Sequence, residues 1–208
     1  MTRVLLFCIA EEAKEASISH VTSEVLNHKA GDSLNQSTLY YLVESKVLPE
    51  SPEEFKQQIQ DGETFDSEFI GASPDDCRAW AKENQCKVNF IEHDVIAIVD
   101  ARSAEDKTII MSCFVRETMY DEDEPFPPWG TLPRAEDVNT WFDYRIEYSF
   151  GFTVRVYWNM HGSDLTYPAF FGKKEDFTDE NGVFDVAKAQ KFSLEYDPDL
   201  YTSPPPRL

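Results

Sequence analysis

Apolar runs and their polar interruptions divide the chain into predicted strands and helices. The early run "RVLLFCIA" is short and apolar, which is typical of a buried strand. Apolar residues then recur at helical spacing from Ala13 to Leu26, and Gly31 is a plausible end for that helix. The stretch "STLYYLVESKVL" fits a strand or a helix, because its periodicity does not decide between them.

Two later segments carry the same signal for the start of a helix. "SPEEFKQQIQDG" and "SPDDCRAWAKENQ" both begin with Ser-Pro followed by two acids. Serine is a good N-cap, proline suits the first helical position, and acids complement the positive end of the helix dipole. We therefore predict helices after Ser51 and Ser73, with Trp80 facing inward in the second.

The strongest strand signal is the stretch "VIAIVDARSAEDKTIIMSCFV". A β-branched run, the polar turn "ARSAEDK" and a second apolar run together predict an antiparallel hairpin. Further along, Tyr144, Ile146 and Tyr148 share one face of a predicted strand. Alternation continues over residues 152–158, which predicts one strand bent at Gly151 or two strands joined there.

These elements predict a single α+β domain over residues 1–208 with a mainly antiparallel sheet. Residues 1–85 form a helix-rich half, whose helices are expected to pack on one face of the sheet. Residues 86–196 form a strand-rich half. Residues 197–208 contain three consecutive prolines, which favour an extended tail.

The chain is strongly acidic, with 39 acids against 19 bases and a formal charge of −20. This balance argues against nucleic acid and anionic membranes as partners, because both need cationic contacts. It favours basic proteins, cations and cationic small molecules.

Cysteine usage and the absence of long apolar runs predict a cytoplasmic protein. Cys8 and Cys113 lie in apolar runs and are expected to be buried, reduced thiols. Cys77 and Cys86 lie nine apart, and no pair has zinc-ligand spacing, so we expect no metal and no cofactor. No stretch approaches the roughly 20 apolar residues of a membrane span.

Two histidines are candidates for proton transfer. Glu92, His93 and Asp94 form a polar cluster, with Asp100 and Arg102 at the far end of the same predicted strand. Alternation separates His93 from its two acidic neighbours unless the backbone turns there, and a polar turn with an exposed His is the alternative. His161 ends an aromatic segment, where it is either a site residue or part of a turn.

Aromatic residues form the richest chemical surface in the sequence. They line a pocket if the strand curls, and otherwise they belong to the core. The stripe includes Trp141, Tyr144, Tyr157 and Trp158. Arg145 and Arg155 interrupt this stripe and either hold a carboxylate in a pocket or pair with acids of the protein.

The segment "YDEDEPFPPWGTLPR" combines four acids, four prolines and two large rings, Phe126 and Trp129. Prolines stiffen the chain and reduce the entropy lost on ordering. A rigid loop with aromatic residues suits a lid or a binding anchor. The alternative is a structural plug over the edge of the sheet.

The order of several motifs resembles an uncharacterised microbial domain family. These motifs are a "VDxR" hairpin, then "NM", an aromatic "FF" segment and a Gly-Val-Phe turn. The resemblance covers about half of the chain and implies no activity. It implies that residues 86–185 form one unit against which residues 1–85 pack.

Three functional hypotheses follow. The first is a cytoplasmic domain that binds a basic protein partner through its acidic surface, with Phe126 and Trp129 as anchors. The second is a small-molecule enzyme of the dehydratase or isomerase type, using His161, His93, Asp94 and Arg155 in an aromatic-lined pocket that this loop closes. The third is a structural subunit of an oligomer.

Overall fold

The chain contains two compact units that are described separately. A computed structural model describes residues 2–14, 21–28, 38–60, 63–115, 139–160 and 168–195. Unit 1 comprises Met1–Cys113 and Asp143–Phe152, and unit 2 comprises Phe114–Phe142 and Thr153–Leu208. The prediction of a single domain over residues 1–208 stays a prediction.

A five-stranded mixed sheet dominates the fold. Its strands are β1 (Arg3–Cys8), β2 (Tyr40–Leu42), β3 (Ile91–Val99), β4 (Thr108–Phe114) and β5 (Trp141–Glu147). The strand order is β2-β1-β3-β4-β5. Strand β1 runs parallel to both β2 and β3, whereas β3 and β4 are antiparallel. The α+β class is confirmed, but the mainly antiparallel sheet is wrong, because long connections between β1, β2 and β3 allow parallel returns.

Helices lie in the connections between strands and in the C-terminal part of the chain. They are α1 (Glu11–Lys14), α2 (Val21–Asn27), α3 (Pro74–Asn84), α4 (Ala101–Asp106), α5 (Gly151–Met160) and α6 (Val186–Glu195). No helix in the described ranges is long and apolar enough to cross a membrane.

Helices α2 and α3 contact opposite faces of β1. The Thr22 hydroxyl of α2 lies 3.6 Å from the Cys8 sulfur, and the Trp80 ring of α3 lies 5.8 Å from the Phe7 ring. Successive side chains of a strand point to opposite faces. The predicted placement of the N-terminal-half helices on one face therefore does not hold for these two helices.

The two Ser-Pro segments fold differently. Helix α3 begins as predicted, with a capping box in which Ser73 and Asp76 bond each other's backbone N–H. The helix predicted after Ser51 is only a short 3-10 turn, Pro52–Glu54. Its continuation is extended instead, because Phe55 stacks on Tyr41 and Lys56 bridges to the outer edge of β2.

The hairpin of β3 and β4 is confirmed, but its polar turn is helix α4. Asp100 caps this helix in a second capping box with Ser103. Lys107 ends it in the left-handed conformation, with φ of 58°. The strand predicted over residues 152–158 is also helical, because it belongs to α5, where Val154, Arg155 and Tyr157 are buried.

Unit 2 has a core of phenylalanine rings. Phe170 and Phe177 both contact Phe184, at centroid distances of 5.2 and 6.3 Å. A turn at Asn181-Gly182 precedes Phe184, and Gly182 adopts a φ of +76° there.

Candidate functional site

The strand order creates a topological switch point in unit 1. Strands β2 and β3 lie on opposite sides of β1, and α2 and α3 cover opposite faces of it. In open sheets of this kind, ligands bind outside the carboxyl ends of the strands where the order reverses. We call residues 9–12, 43–46, 66–71 and 100–103 the carboxyl edge.

The segment 66–71 is fixed across the ends of β1 and β2 by hydrogen bonds. The Ser67 hydroxyl donates to the Cys8 carbonyl at 3.2 Å, and the Gly71 amide donates to the Ile9 carbonyl at 2.9 Å. The Glu68 amide donates to the Glu44 carbonyl at 2.9 Å. Segments that follow different strands are therefore held together at this edge.

Exposed carboxylates dominate the carboxyl edge near β1. Glu11 and Glu12 are exposed, and the Asp66 side chain is fully accessible to solvent. The Lys14 ammonium lies 3.2 Å from Asp66 and 4.0 Å from Glu11. Because Glu12 adds a third carboxylate next to Glu11 in sequence, acids outnumber this one lysine.

Asp100 and Arg145 form a half-buried ion pair at the end of β3. The Arg145 guanidinium donates to both Asp100 oxygens and to the Thr108 hydroxyl, the last at 2.9 Å. The backbone and hydroxyl of Ser103 also donate to Asp100, each at 2.9 Å. Burial acts to raise the pKa of Asp100, but the Arg145 hydrogen bonds and charge, together with Ser103, lower it below its usual value.

A second arginine network lies on the same face of the sheet. Arg78 of α3 bonds Asp143 of β5 and lies 2.5 Å from Asp75 at the start of its own helix. The Ser112 hydroxyl donates to Asp143 as well. Asp143 keeps 41% of its side-chain surface exposed, so this network is open to solvent at the carboxylate.

Two nucleophilic side chains of unit 1 are not activated. Ser112 is fully buried, and burial raises the pKa of the Cys77 thiol to about 12, so neither is an activated nucleophile. Burial also raises the pKa of the Cys8 thiol. Cys8 and Cys113 are buried as predicted. In the part of the chain that the structure describes, no group of three His, Cys, Asp or Glu is arranged to hold a metal.

Glu92, His93 and Asp94 lie at the opposite, amino end of β3. Arg3 of β1 pairs with Ile91, but Leu5 pairs with Ile96, so β3 bulges between these positions. The backbone therefore turns at the polar cluster. The His93 Nε2 lies 2.9 Å from the Val88 carbonyl, which fixes the ring against backbone.

Gln85 holds this bulge from inside the protein. Its buried amide nitrogen donates to the Glu92 carbonyl at 2.7 Å and to the Val95 carbonyl at 3.1 Å. Asp100 lies six residues after Asp94, which corresponds to about 20 Å along an extended strand. The histidine cluster and the Asp100–Arg145 pair are therefore two separate sites.

The aromatic stripe is partly buried: Tyr144 and Tyr157 are buried, whereas Trp141 and Trp158 are half-buried. Tyr144 is fully buried in unit 1. In unit 2, Trp141 contacts Phe114, Tyr157 contacts Phe170, and Trp158 contacts Phe171. In the described part of the chain, the buried Trp158 indole nitrogen has no hydrogen-bond partner.

The two arginines of the stripe, Arg145 and Arg155, lie in different units. Arg145 pairs with an acid of the protein, as one of its two predicted roles required. Arg155 is buried in unit 2. Phe126, Trp129 and His161 lie outside the described residues, so their predicted roles stay predictions.

The sequence did not predict four residues of the two arginine networks. These are Arg78, Asp143, Ser112 and Thr108. The spacing of Asp100 and Ser103 is a capping-box signal that predicts α4. No local signal points to Arg78 and Asp143, which are 65 residues apart in sequence.

No family model matches the chain, and neither a curated protein nor a solved structure matches it.

Proposed function

We propose that this chain is a binding domain for a basic protein partner, and that the carboxyl edge of unit 1 takes part in recognition. One observation carries the proposal. Most of the basic side chains of unit 1 that the structure describes are used in ion pairs within the unit, and the exposed carboxylates of the carboxyl edge outnumber its exposed base, Lys46.

The internal ion pairs account for most basic groups of unit 1. They join bases and acids from different elements as well as neighbours within a helix. The pairs are Lys14–Asp66, Lys56–Glu63, Arg78–Asp143, Lys87–Glu83, Arg102–Asp106, Lys107–Glu24 and Arg145–Asp100. The acids that these pairs do not neutralise give unit 1 a negative surface, which attracts cationic molecules from solution.

A surplus of this size attracts cationic partners over several ångströms. The whole chain carries 39 acids and 19 bases, and opposite charge accelerates encounter and orients the partner. Glu11, Glu12 and Asp66 provide local carboxylates for lysine or arginine side chains. In this proposal Phe126 and Trp129 supply the apolar anchors.

A small polar ligand is the second candidate, because the switch point between β1 and β3 is a usual place for one. Asp100 and Arg145 would be its polar contacts in unit 1. The enzyme hypothesis with His161, His93, Asp94 and Arg155 is a separate proposal, because His93 and Asp94 lie at the amino end of β3.

The test compares two double variants of equal charge change. Glu11→Gln with Glu12→Gln removes two exposed acids of the carboxyl edge, whereas Glu175→Gln with Glu180→Gln removes two exposed acids of unit 2. Binding to a fluorescent lysine-rich peptide is measured by anisotropy at increasing salt. We expect the edge variant to weaken binding several-fold, with a smaller effect of the unit 2 variant.

Equal weakening in the two variants would mean that only the overall charge attracts the peptide. An absence of binding by the wild-type chain at low salt would contradict recognition of a basic partner altogether.

A further inference from the structure

The backbone of β5 has one side turned away from the sheet. The Tyr148 amide donates to the Lys107 carbonyl at 3.3 Å, and Ser112 lies opposite Asp143, so β5 runs antiparallel to β4. In an antiparallel pair, alternate residues direct their backbone groups toward the neighbouring strand. Tyr148, Ile146 and Tyr144 therefore face β4.

The remaining residues of β5 in unit 1 direct their backbone outward. These are Asp143, Arg145 and Glu147, and β5 is the last strand in the sheet order. Among the described residues, the outward backbone groups of Asp143 and Arg145 and the Glu147 N–H make no backbone bond to another element, whereas the Glu147 carbonyl begins the 3-10 turn Tyr148–Phe150. An unpaired strand edge of this kind is a template for another strand.

We propose that β5 pairs antiparallel with β5 of a second copy of this chain, centred on Tyr144. In that register, Asp143 of each copy lies opposite Arg145 of the other. Both residues direct their backbone outward, so they form a hydrogen-bonded pair in the new ladder. The two-fold axis creates this pair twice and joins the two sheets into one.

Charge selects this register over its neighbours. Pairing centred on Asp143 would place two carboxylates opposite each other, and pairing centred on Arg145 would do the same to two guanidinium groups. A parallel arrangement in register would oppose like charges at both positions. The alternation of Asp143, Tyr144 and Arg145 is therefore self-complementary only about its centre.

The contact is small, and the negative charges of the two copies repel each other. Each copy carries −20, and this repulsion is largely screened at an ionic strength of about 0.15 M, where the Debye length is about 8 Å. A contact made mainly by one strand belongs to the weak class of interfaces, so we expect a Kd on the order of tens of micromolar. This inference is independent of the proposed basic partner.

Glu147 allows a test that leaves the internal networks intact. It is exposed, and its φ of −58° is the value that proline imposes. Glu147→Pro removes an outward N–H and places a ring at the edge, whereas Glu147→Ala removes only the side chain. Sedimentation velocity is measured for the wild type and both variants from about 1 to about 200 µM.

We expect wild type and Glu147→Ala to shift from monomer to dimer with the same Kd. Glu147→Pro should weaken the dimer at least about tenfold, because the symmetry removes two hydrogen bonds at once. A wild type that stays monomeric from about 1 to about 200 µM overturns the proposal. The β5 edge would then be a candidate for pairing with an extended segment of another protein. A dimer that Glu147→Pro does not weaken also overturns it.

Hydrogen exchange on the wild type provides a second readout that requires no variant. The amides of Asp143, Arg145 and Glu147 should exchange quickly in dilute protein and become protected at high concentration. Protection that does not change with concentration, while the protein dimerises, would assign the dimer to another surface.

Discussion

At the scale of single residues, the start of α5 depends on a close approach between Gly151 and Tyr40. Tyr40 is fully buried, and its hydroxyl lies 3.8 Å from the Met111 sulfur. A Cβ on Gly151 would lie 1.9 Å from the Tyr40 hydroxyl oxygen and 3.2 Å from the ring carbon Cζ. Glycine is required here by the space that Tyr40 occupies, since its own φ of −54° is an ordinary helical value.

We expect Gly151→Ala to lower the free energy of unfolding by about 1–3 kcal/mol, because the added methyl group overpacks the core. Tyr40→Phe removes the atom in closest conflict, so the double variant should be clearly more stable than the sum of the two single effects predicts. Urea unfolding of the four proteins in this cycle measures the coupling. Additive effects would mean that the methyl group is accommodated without meeting Tyr40.

The sequence predicted a bend at Gly151 but not its cause. Glycine marks a bend or a close approach, and only the packing of Tyr40 against it distinguishes the two. In the same way, the burial of Cys8 follows from its apolar run, whereas its contact with Thr22 depends on where α2 lies.

At the scale of elements, identical local signals led to different structures. The segments after Ser51 and Ser73 share the same start, but only the second is an α-helix. Phe55 and Lys56 gain a ring contact and a backbone bridge at the edge of β2, and these outweigh a helix propensity of a few tenths of a kcal/mol per residue. Residues 152–158 satisfy both strand and helix spacing, and burial of Val154, Arg155 and Tyr157 selected the helix.

Asp100 joins three elements, because it directly follows β3, caps α4 and binds Arg145 of β5. We expect Asp100→Asn to lower the free energy of unfolding at pH 7 by about 1–3 kcal/mol through loss of the ion pair and a weaker cap. The folded-state pKa of Asp100 is lowered, so its contribution is present above the unfolded value of about 3.9 and is lost as pH falls through the folded value.

The variant should therefore lose less stability than wild type as the pH falls from about 6 to about 3, which thermal unfolding across that range measures. Glu105→Gln is the matched control, because Glu105 is an exposed acid of the same helix. Parallel pH profiles for wild type and Asp100→Asn would contradict the role given to this carboxylate.

At the scale of the whole molecule, the charge of −20 opposes the compact state. Salt screens this repulsion, so we expect Tm to rise by a few degrees between about 0.02 and about 0.3 M NaCl. Glu175→Gln with Glu180→Gln should show a smaller rise, because it removes two exposed acids. A Tm that falls with salt would mean that the internal ion pairs outweigh the net repulsion.

The sequence by itself determined features that depend on residues close together in the chain. The cap of α3, the β3–β4 hairpin, the Asn181-Gly182 turn and the acidic surface all follow from local chemistry. Capping and turn hydrogen bonds act over about four residues, so their partners are visible in one short segment.

Only the tertiary structure decided the strand order, the opposite placement of α2 and α3, and the arginine networks. An apolar strand is buried equally well between parallel and antiparallel strands. Its sequence pattern therefore does not predict which strands pair with it or in which direction. Arg78 meets Asp143, and Arg145 meets Asp100, because the sheet brings distant segments to one face. Those ion pairs, and the place of β5 as the last strand of the described sheet, exist only once the whole sheet has assembled.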